Sequence, residues 1–414
     1  MLAGMTDTLH YVKDAMEATV VTQSTAQAPA PTPAVASRRS TVLPHVEWSG
    51  SQPNVVPFER ERFEELRLLG QGGMGEVMLL KDNDIERTVA LKRLPAGTGL
   101  DGVLRFVEEI RTVGQLDHPN IVPVHDVGID EQGRYYFVMK HLQGETLESI
   151  IARLREGDRE MHARYTFPMR VQLFLGILHA LSYAHGKGFI HRDLKPANIM
   201  VGPFGEVTVM DWGLSRRVRK ADRTGKKASA TPAAPESLRE AAHLQTQVGA
   251  VVGTPFYMSP EQARGEHEGL DARSDIYSLC VMLHELLYLN HYLEGRESLN
   301  DVLEGVQKVM PDVFTPKAHP HQPNVPAELT WLVIRGFAKN PAQRYHSVDE
   351  MVKELKDVME GRIHVKCQRT LIKRGLHEML RFVDKHPILT MVGSTMAAAV
   401  VLGSMGHLLL TLLG

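Results

Sequence analysis

Cysteine is nearly absent from this chain of 414 residues: two are present, Cys280 and Cys367, far apart and with no flanking ligand types. That scarcity excludes a disulfide framework or a cysteine-based zinc site and suits a reducing cytosol. A charge excess of either sign is also missing, since 47 Lys and Arg stand against 49 Asp and Glu. Overall charge therefore argues for neither a nucleic-acid binder nor an acidic-surface protein. The start, MLAGMTDTLHYVKDAMEATVV, lacks the basic n-region and long apolar run of a signal peptide, so the bulk of the chain is expected to stay cytoplasmic. Residues 22–57 lack periodic apolar side chains and are rich in Pro, Ala, Ser, Thr and Gln, which reads as a disordered segment.

Residues 388–413 lack Lys, Arg, Asp and Glu altogether. Such a run exceeds the roughly 20 residues a helix needs to cross a bilayer. The preceding 361–387 carry seven Lys and Arg against two Asp and Glu, which places the N-terminal side in the cytosol. The competing reading is a buried C-terminal helix of a soluble domain. Nothing of note follows the span, so an extracytoplasmic sensor domain is not expected.

What is present between these ends changes character along the chain. FEELRLLGQGGMGEVMLLKD, RTVALKRL, IVPVHDVGID and RYYFVMKHL alternate as strands, with one amphipathic helix in LDGVLRFVEEIRTVGQL. Leu104, Val107, Ile110, Val113 and Gly114 stand at helical spacing along it, and Phe106, Ile110 and Val113 set its apolar face. Helical patterns then follow at 146–155, 168–187, 274–289, 297–308, 327–338 and 347–360. A strand-rich part followed by a helical part predicts two lobes with a cleft between them, an α+β arrangement. The chain divides into a tail (1–58), a folded domain (59–360), a basic juxtamembrane segment (361–387) and the apolar helix (388–413).

Several short motifs carry chemistry. LGQGGMGEV holds Gly70, Gly72 and Gly75 at G-x-G-x-x-G spacing, ahead of Val77. Dinucleotide-binding folds share that spacing, but there a helix follows the third glycine; EVMLLKD alternates like a strand. A strand–turn–strand of this kind can lay bare N–H groups over phosphates, or it can be an ordinary hairpin. In VALK, Lys92 lies in an apolar strand and needs a carboxylate partner. Glu108 and Glu109 both offer one, and the apolar face of their helix favours Glu109. HRDLKPAN surrounds Asp193 with His191, Arg192 and Lys195, so its carboxylate is expected to be held charged and to serve chemistry on an anion.

GQGGMGEV, VALK, HRDLKPAN, DWG, GTPFYMSPEQ, SDIYSL and NPAQRY, in that order, resemble the eukaryotic-type (Hanks-type) serine/threonine protein kinases, bacterial branch, from about 63 to 358. The resemblance implies a two-lobed kinase fold, ATP and Mg2+ as cofactors, and protein Ser/Thr hydroxyls as acceptors. It implies Lys92, Asp193 and Lys195 as catalytic residues and Asn198 and Asp211 as metal ligands. It implies Gly70, Gln71, Gly72, Gly75, Val77, Ala90, Lys92, Glu109, Met139, Lys140 and Leu142 around the nucleotide. Glu261 should pair with Arg344, and Asp275 should accept hydrogen bonds from the catalytic-loop backbone; Asp275 or Ser274 as a helix N-cap is the bland alternative. The chain departs from the family's pattern at Trp212, usually Phe, and at Cys280, usually Gly. Its Asp211–Glu261 segment of 51 residues is long for the family, and Thr246 within it is a candidate for phosphorylation between two copies. The rival readings are a pseudokinase scaffold that binds ATP or proteins without turnover and a nucleotide-dependent oxidoreductase.

Overall fold

Val89, Ala90 and Leu91 are buried on one strand, which a strand tolerates only with neighbours on both sides and both faces covered. The computed structural model supplies them; it describes residues 41–56, 60–72, 75–217, 254–266, 270–313, 319–362 and 368–413. Strands β3 (Phe63–Gly72), β4 (Gly75–Asp82), β5 (Arg87–Arg93), β6 (Val124–Ile129) and β7 (Tyr135–Lys140) form an antiparallel sheet in the order β3-β4-β5-β7-β6. One face buries Leu80, Val89, Leu91 and Val138, and the other packs Phe137 against Phe106 of helix α1 (Leu100–Val113).

The two glycine-bearing strands meet as Gly72 opposite Gly75, an antiparallel hairpin with no helix after it. Gly75 has φ 140°, and a Cβ there would lie 2.5 Å from the Arg93 carbonyl oxygen, so only glycine fits.

From β8 (Glu145–Thr146) onward the chain is mainly helical: α2 (Leu147–Arg155), α3 (Arg159–Arg164), α4 (Phe167–Gly186), α5 (Pro260–Ala263), α6 (Ala272–Tyr288), α7 (Leu299–Lys308), α8 (Ala327–Gly336) and α9 (Val348–Met359). Short strands β9 (Phe189–Ile190), β10 (Ile199–Val201), β11 (Val207–Val209) and β12 (Arg216–Arg217) carry the loops between α4 and α5. Helix α6 is buried from Ser274 to Tyr288 and is the axis of this lobe. Arg170 of α4 is held inside it by bonds to the carbonyls of Tyr165 and Leu286 and to Gln322, and burial pushes its pKa down to about 10.

Two expectations are corrected and one alternative is excluded. Residues 45–56 form a hairpin, β1 (His45–Ser49) with β2 (Gln52–Val56), where a disordered segment was expected. Gly50, at φ 67°, makes the turn between Val46 and Trp48 on one strand and Val55 and Val56 on the other, a signal masked by the polar composition. Leu104 is 53% exposed, because the face of α1 is set by Phe106, Glu109 and Val113, and Leu104 projects elsewhere. The N-cap of α6 is Asp271, which accepts from the Arg273 N–H, and neither Ser274 nor Asp275.

Beyond α9 come α10 (Gln368–Lys385) and α11 (Pro387–Leu413). Pro387–Met405 is long and apolar enough to cross a membrane, and none of it is buried against the rest of the protein.

Candidate active site

The alternation of β5 points Lys92 toward α1, and its Nζ lies 2.6 Å from Glu109 Oε1. Both side chains are largely out of solvent. Burial works against the ammonium, but Glu109 and Asp211 more than offset it and raise the Lys92 pKa. Asp211 Oδ1 is 3.6 Å from Lys92 Nζ, an ion-pair distance beyond hydrogen-bond reach. So residues from β5, α1 and the loop after β11 converge at one point.

The second half of the site is the 191–198 loop. Its shape is set from below by Asp275, fully buried in α6. Asp275 Oδ2 accepts from the His191 N–H (2.8 Å), Oδ1 accepts from the Arg192 N–H (2.9 Å), and His185 Nε2 lies 2.8 Å from Oδ2. Burial would raise the Asp275 pKa, yet these donors hold it below the ordinary value. They also hold Arg192 at φ 69°, a strained conformation for a residue with a Cβ. His191 Nδ1 accepts from the Asp193 N–H and its Nε2 donates to the Met210 carbonyl, so the ring ties this loop to the residue before Asp211.

Asp193 is 8% exposed. Its Oδ2 accepts from Lys195 Nζ at 2.8 Å and from Asn198 Nδ2 at 3.3 Å, and its carbonyl accepts from the same amide at 2.9 Å. The expectation that flanking cations would dominate Asp193 is corrected: burial raises its pKa, with Lys195 only partly opposing. For Asp211, burial is outweighed by nearby cations, chiefly Lys92, and the pKa is lowered. Two neighbouring carboxyl groups are thus pushed apart, the pattern of a proton acceptor beside a permanent anion.

Asp211 has φ 56°, and its Oδ1 is shut off from solvent without a hydrogen-bond partner among the described residues. Asn198 has committed its Nδ2 to Asp193, so its amide oxygen is the atom it would offer a cation. Two such oxygens suit a hard divalent cation such as Mg2+.

Around the cleft, Val77 pairs with Lys92 across β4 and β5, and Ala90 pairs with Met139 across β5 and β7. Met139 packs against the cores of both lobes; Lys140 ends β7, and Leu142 packs on the lower core. Gly70, Gln71 and Gly72 lie at the end of β3, over this region of the sheet. The turn at 73–74, the Thr254 side chain and Thr246 lie outside the described residues.

Trp212 is fully buried, its ring centroid 4.6 Å from that of His191. The extra width of the ring is accommodated in the lower-lobe core, with Nε1 left without a partner among the described residues. Glu261 and Arg344 form a bidentate pair at 2.7 and 2.8 Å, and Ser274 Oγ donates to Glu261. Gln262 Nε2 donates to the Arg192 carbonyl, tying α5 to the catalytic loop. The sequence reading missed His185 and Gln262; neither carries a local signal, since each finds its partner far along the chain. His191 was visible in its motif, but its role in joining two loops was not.

The protein kinase domain family matches residues 63–355. The chain is similar to the serine/threonine-protein kinase PknD of Protochlamydia amoebophila, 32% identical over 319 residues covering 75% of this chain and 31% of that protein. A probable serine/threonine-protein kinase of Streptomyces coelicolor is 34% identical over 307 residues, 72% of this chain and 40% of its own length. PknB of Mycobacterium tuberculosis is 35% identical over 306 residues, 73% and 43%. The chain therefore spans less than half the length of these relatives. With the matched stretch covering both lobes and the whole cleft, the chain belongs to the protein kinase family, in its bacterial Hanks-type branch.

Proposed function

We propose that this chain transfers the γ-phosphoryl group of ATP to serine and threonine hydroxyls of protein substrates, tethered to the cytoplasmic face of the cell membrane by α11. The observation that carries the reading is the convergence of Lys92, Asp193, Lys195, Asn198 and Asp211 in one cleft. Mg2+, when bound with ATP, would neutralise phosphate charge, and Asn198 and Asp211 offer the oxygens to hold it. Lys92, fixed by Glu109, would bind the α- and β-phosphates. Asp193 would orient the acceptor hydroxyl and take its proton at Oδ1 or Oδ2. Lys195 would meet charge developing on the transferred group. None of these residues becomes bonded to phosphorus, so the rate gain is positional and electrostatic.

The serine/threonine assignment is supported by Lys195 in the catalytic loop and by the wording of the relatives' names. Thr246 is the proposed site of phosphorylation between copies concentrated in the membrane plane; Arg192, the residue immediately before Asp193, is the cation proposed to receive it. No observation favours a scaffold without turnover.

The test is phosphotransfer from Mg-ATP by the purified full chain. Lys92→Met and Asp211→Asn should each lose at least about 100-fold in turnover while unfolding stays cooperative. Retention of most of the wild-type turnover in either variant would remove the roles assigned above.

A further inference from the structure

Helix α10 is amphipathic the wrong way round for a helix of a soluble domain. Its polar side is the one fastened to the kinase domain. Thr370 is fully buried, Lys373 Nζ lies 3.1 Å from Glu328 at the start of α8, and Arg381 contacts the Glu360 carbonyl just past α9. Its apolar side faces away. Ile372, Leu376, Met379, Leu380 and Val383 are exposed, from 39% at Val383 to 70% at Ile372. At roughly 100° per residue, these side chains with Leu371 and Phe382 fill about half the circumference. Lys373, Arg374, Arg381 and Lys385 fall on the other half.

A surface helix ordinarily turns its apolar stripe to its own domain. Here the domain holds the polar half, so the apolar half needs a different cover. We propose that α10 lies in the plane of the cytoplasmic leaflet, its apolar half sunk in lipid and its polar half carrying the kinase domain at a fixed attitude to the membrane. This rests on the reading of α11 as a membrane span.

Three observations favour lipid as the cover. Continuity is the first: α11 begins one residue after the junction at His386, whose N–H bonds the Phe382 carbonyl, so the end of α10 lies where a spanning α11 would enter the bilayer. Width is the second. A helix-pairing seam is a narrow stripe, whereas an apolar half-cylinder matches the boundary between headgroups and acyl chains. The third is charge: Arg369, Lys373, Arg374, Arg381 and Lys385 stand against Glu378 and Asp384 on this helix, which suits an anionic leaflet. Arg374 spends part of its charge on Glu378 at 2.7 Å and Lys373 on Glu328 at 3.1 Å, so the attraction to the leaflet is that of the remaining basic excess.

The test uses the full chain with Cys367→Ser, reconstituted into vesicles of phosphatidylcholine and phosphatidylglycerol. Cysteines introduced one at a time as Leu376→Cys, Met379→Cys, Arg374→Cys and Val400→Cys carry nitroxide labels, Cys280 being fully buried and out of the label's reach, and collisions with oxygen and with a neutral nickel complex are compared. Oxygen should be favoured over nickel at 376 and 379 relative to 374, with 400 deepest. A deep label at 400 with 376 and 379 as wet as 374 would overturn the in-plane helix and leave the tether standing. Spin–spin broadening at 376 that disappears on dilution with unlabelled chain would make a second copy the cover, and would overturn it too. A water-exposed label at 400 would remove the span itself, and the inference with it.

Discussion

At the scale of single residues, the cleft works by placing equal charges in unequal surroundings. Asp193 and Asp211 are both carboxylates near lysines, yet burial raises one and cations lower the other. This has a testable consequence in pH. The proposed acceptor role requires ionised Asp193, so activity should fall as pH drops through its raised pKa. Lys195 opposes that rise from 2.8 Å; removing its charge should raise the Asp193 pKa further. Lys195→Gln is expected to be slower and also to move the acidic limb of kcat/KM to higher pH. An unmoved limb, or one shifted downward, would show that Asp193 does not set it. Most of these residues were legible beforehand, because motif order names them. Lys92 announced its need for a partner by being charged within an apolar strand, and helix phase selected Glu109 over Glu108. The elevation of Asp193 was not legible, since neighbours in sequence suggest cations and only folding reveals the burial.

At the scale of elements, periodicity located the long helices to within about two residues, as boundaries usually allow. It failed where a partner decides the facing, as at Leu104, and where the element is short, as in α3 and the β1–β2 hairpin. The packing of α6 on α8 shows what one substitution can demand of a neighbour. Cys280 occupies a position where the family usually has glycine, and a Cβ at Gly336 would come within 1.9 Å of its Sγ. The thiol is fully buried, and burial pushes its pKa up to about 12, so it acts as an inert filler. Gly336→Ala should therefore destabilise the domain by about 1–3 kcal/mol through overpacking. Denaturant unfolding of Gly336→Ala, Cys280→Gly and the double variant should give a coupling of about 1 kcal/mol or more. Simple additivity would show that the helices relax apart instead.

At the scale of the whole molecule, the proposed catalytic residues and the proposed anchor are separate in the chain. Every residue assigned to the cleft precedes 212, and α11 begins at Pro387. Deleting 388–414 should release an enzyme that remains active on a soluble protein substrate, whereas the full chain should sediment with membranes and resist alkaline extraction. A full chain that stays in the supernatant without detergent would remove the tether. The sequence by itself determined the family, the cleft residues and the apolar end, because each is written in residue type and spacing over short stretches. It also determined the Glu261–Arg344 pairing, through motifs that recur together. Tertiary structure alone decided which groups are shut away from water, and so which carboxyl rises and which falls. It alone decided that His185 and Gln262 brace the catalytic loop, and that α10 offers its polar side to the domain. These depend on surfaces brought together from distant parts of the chain, and burial and facing exist only once that has happened.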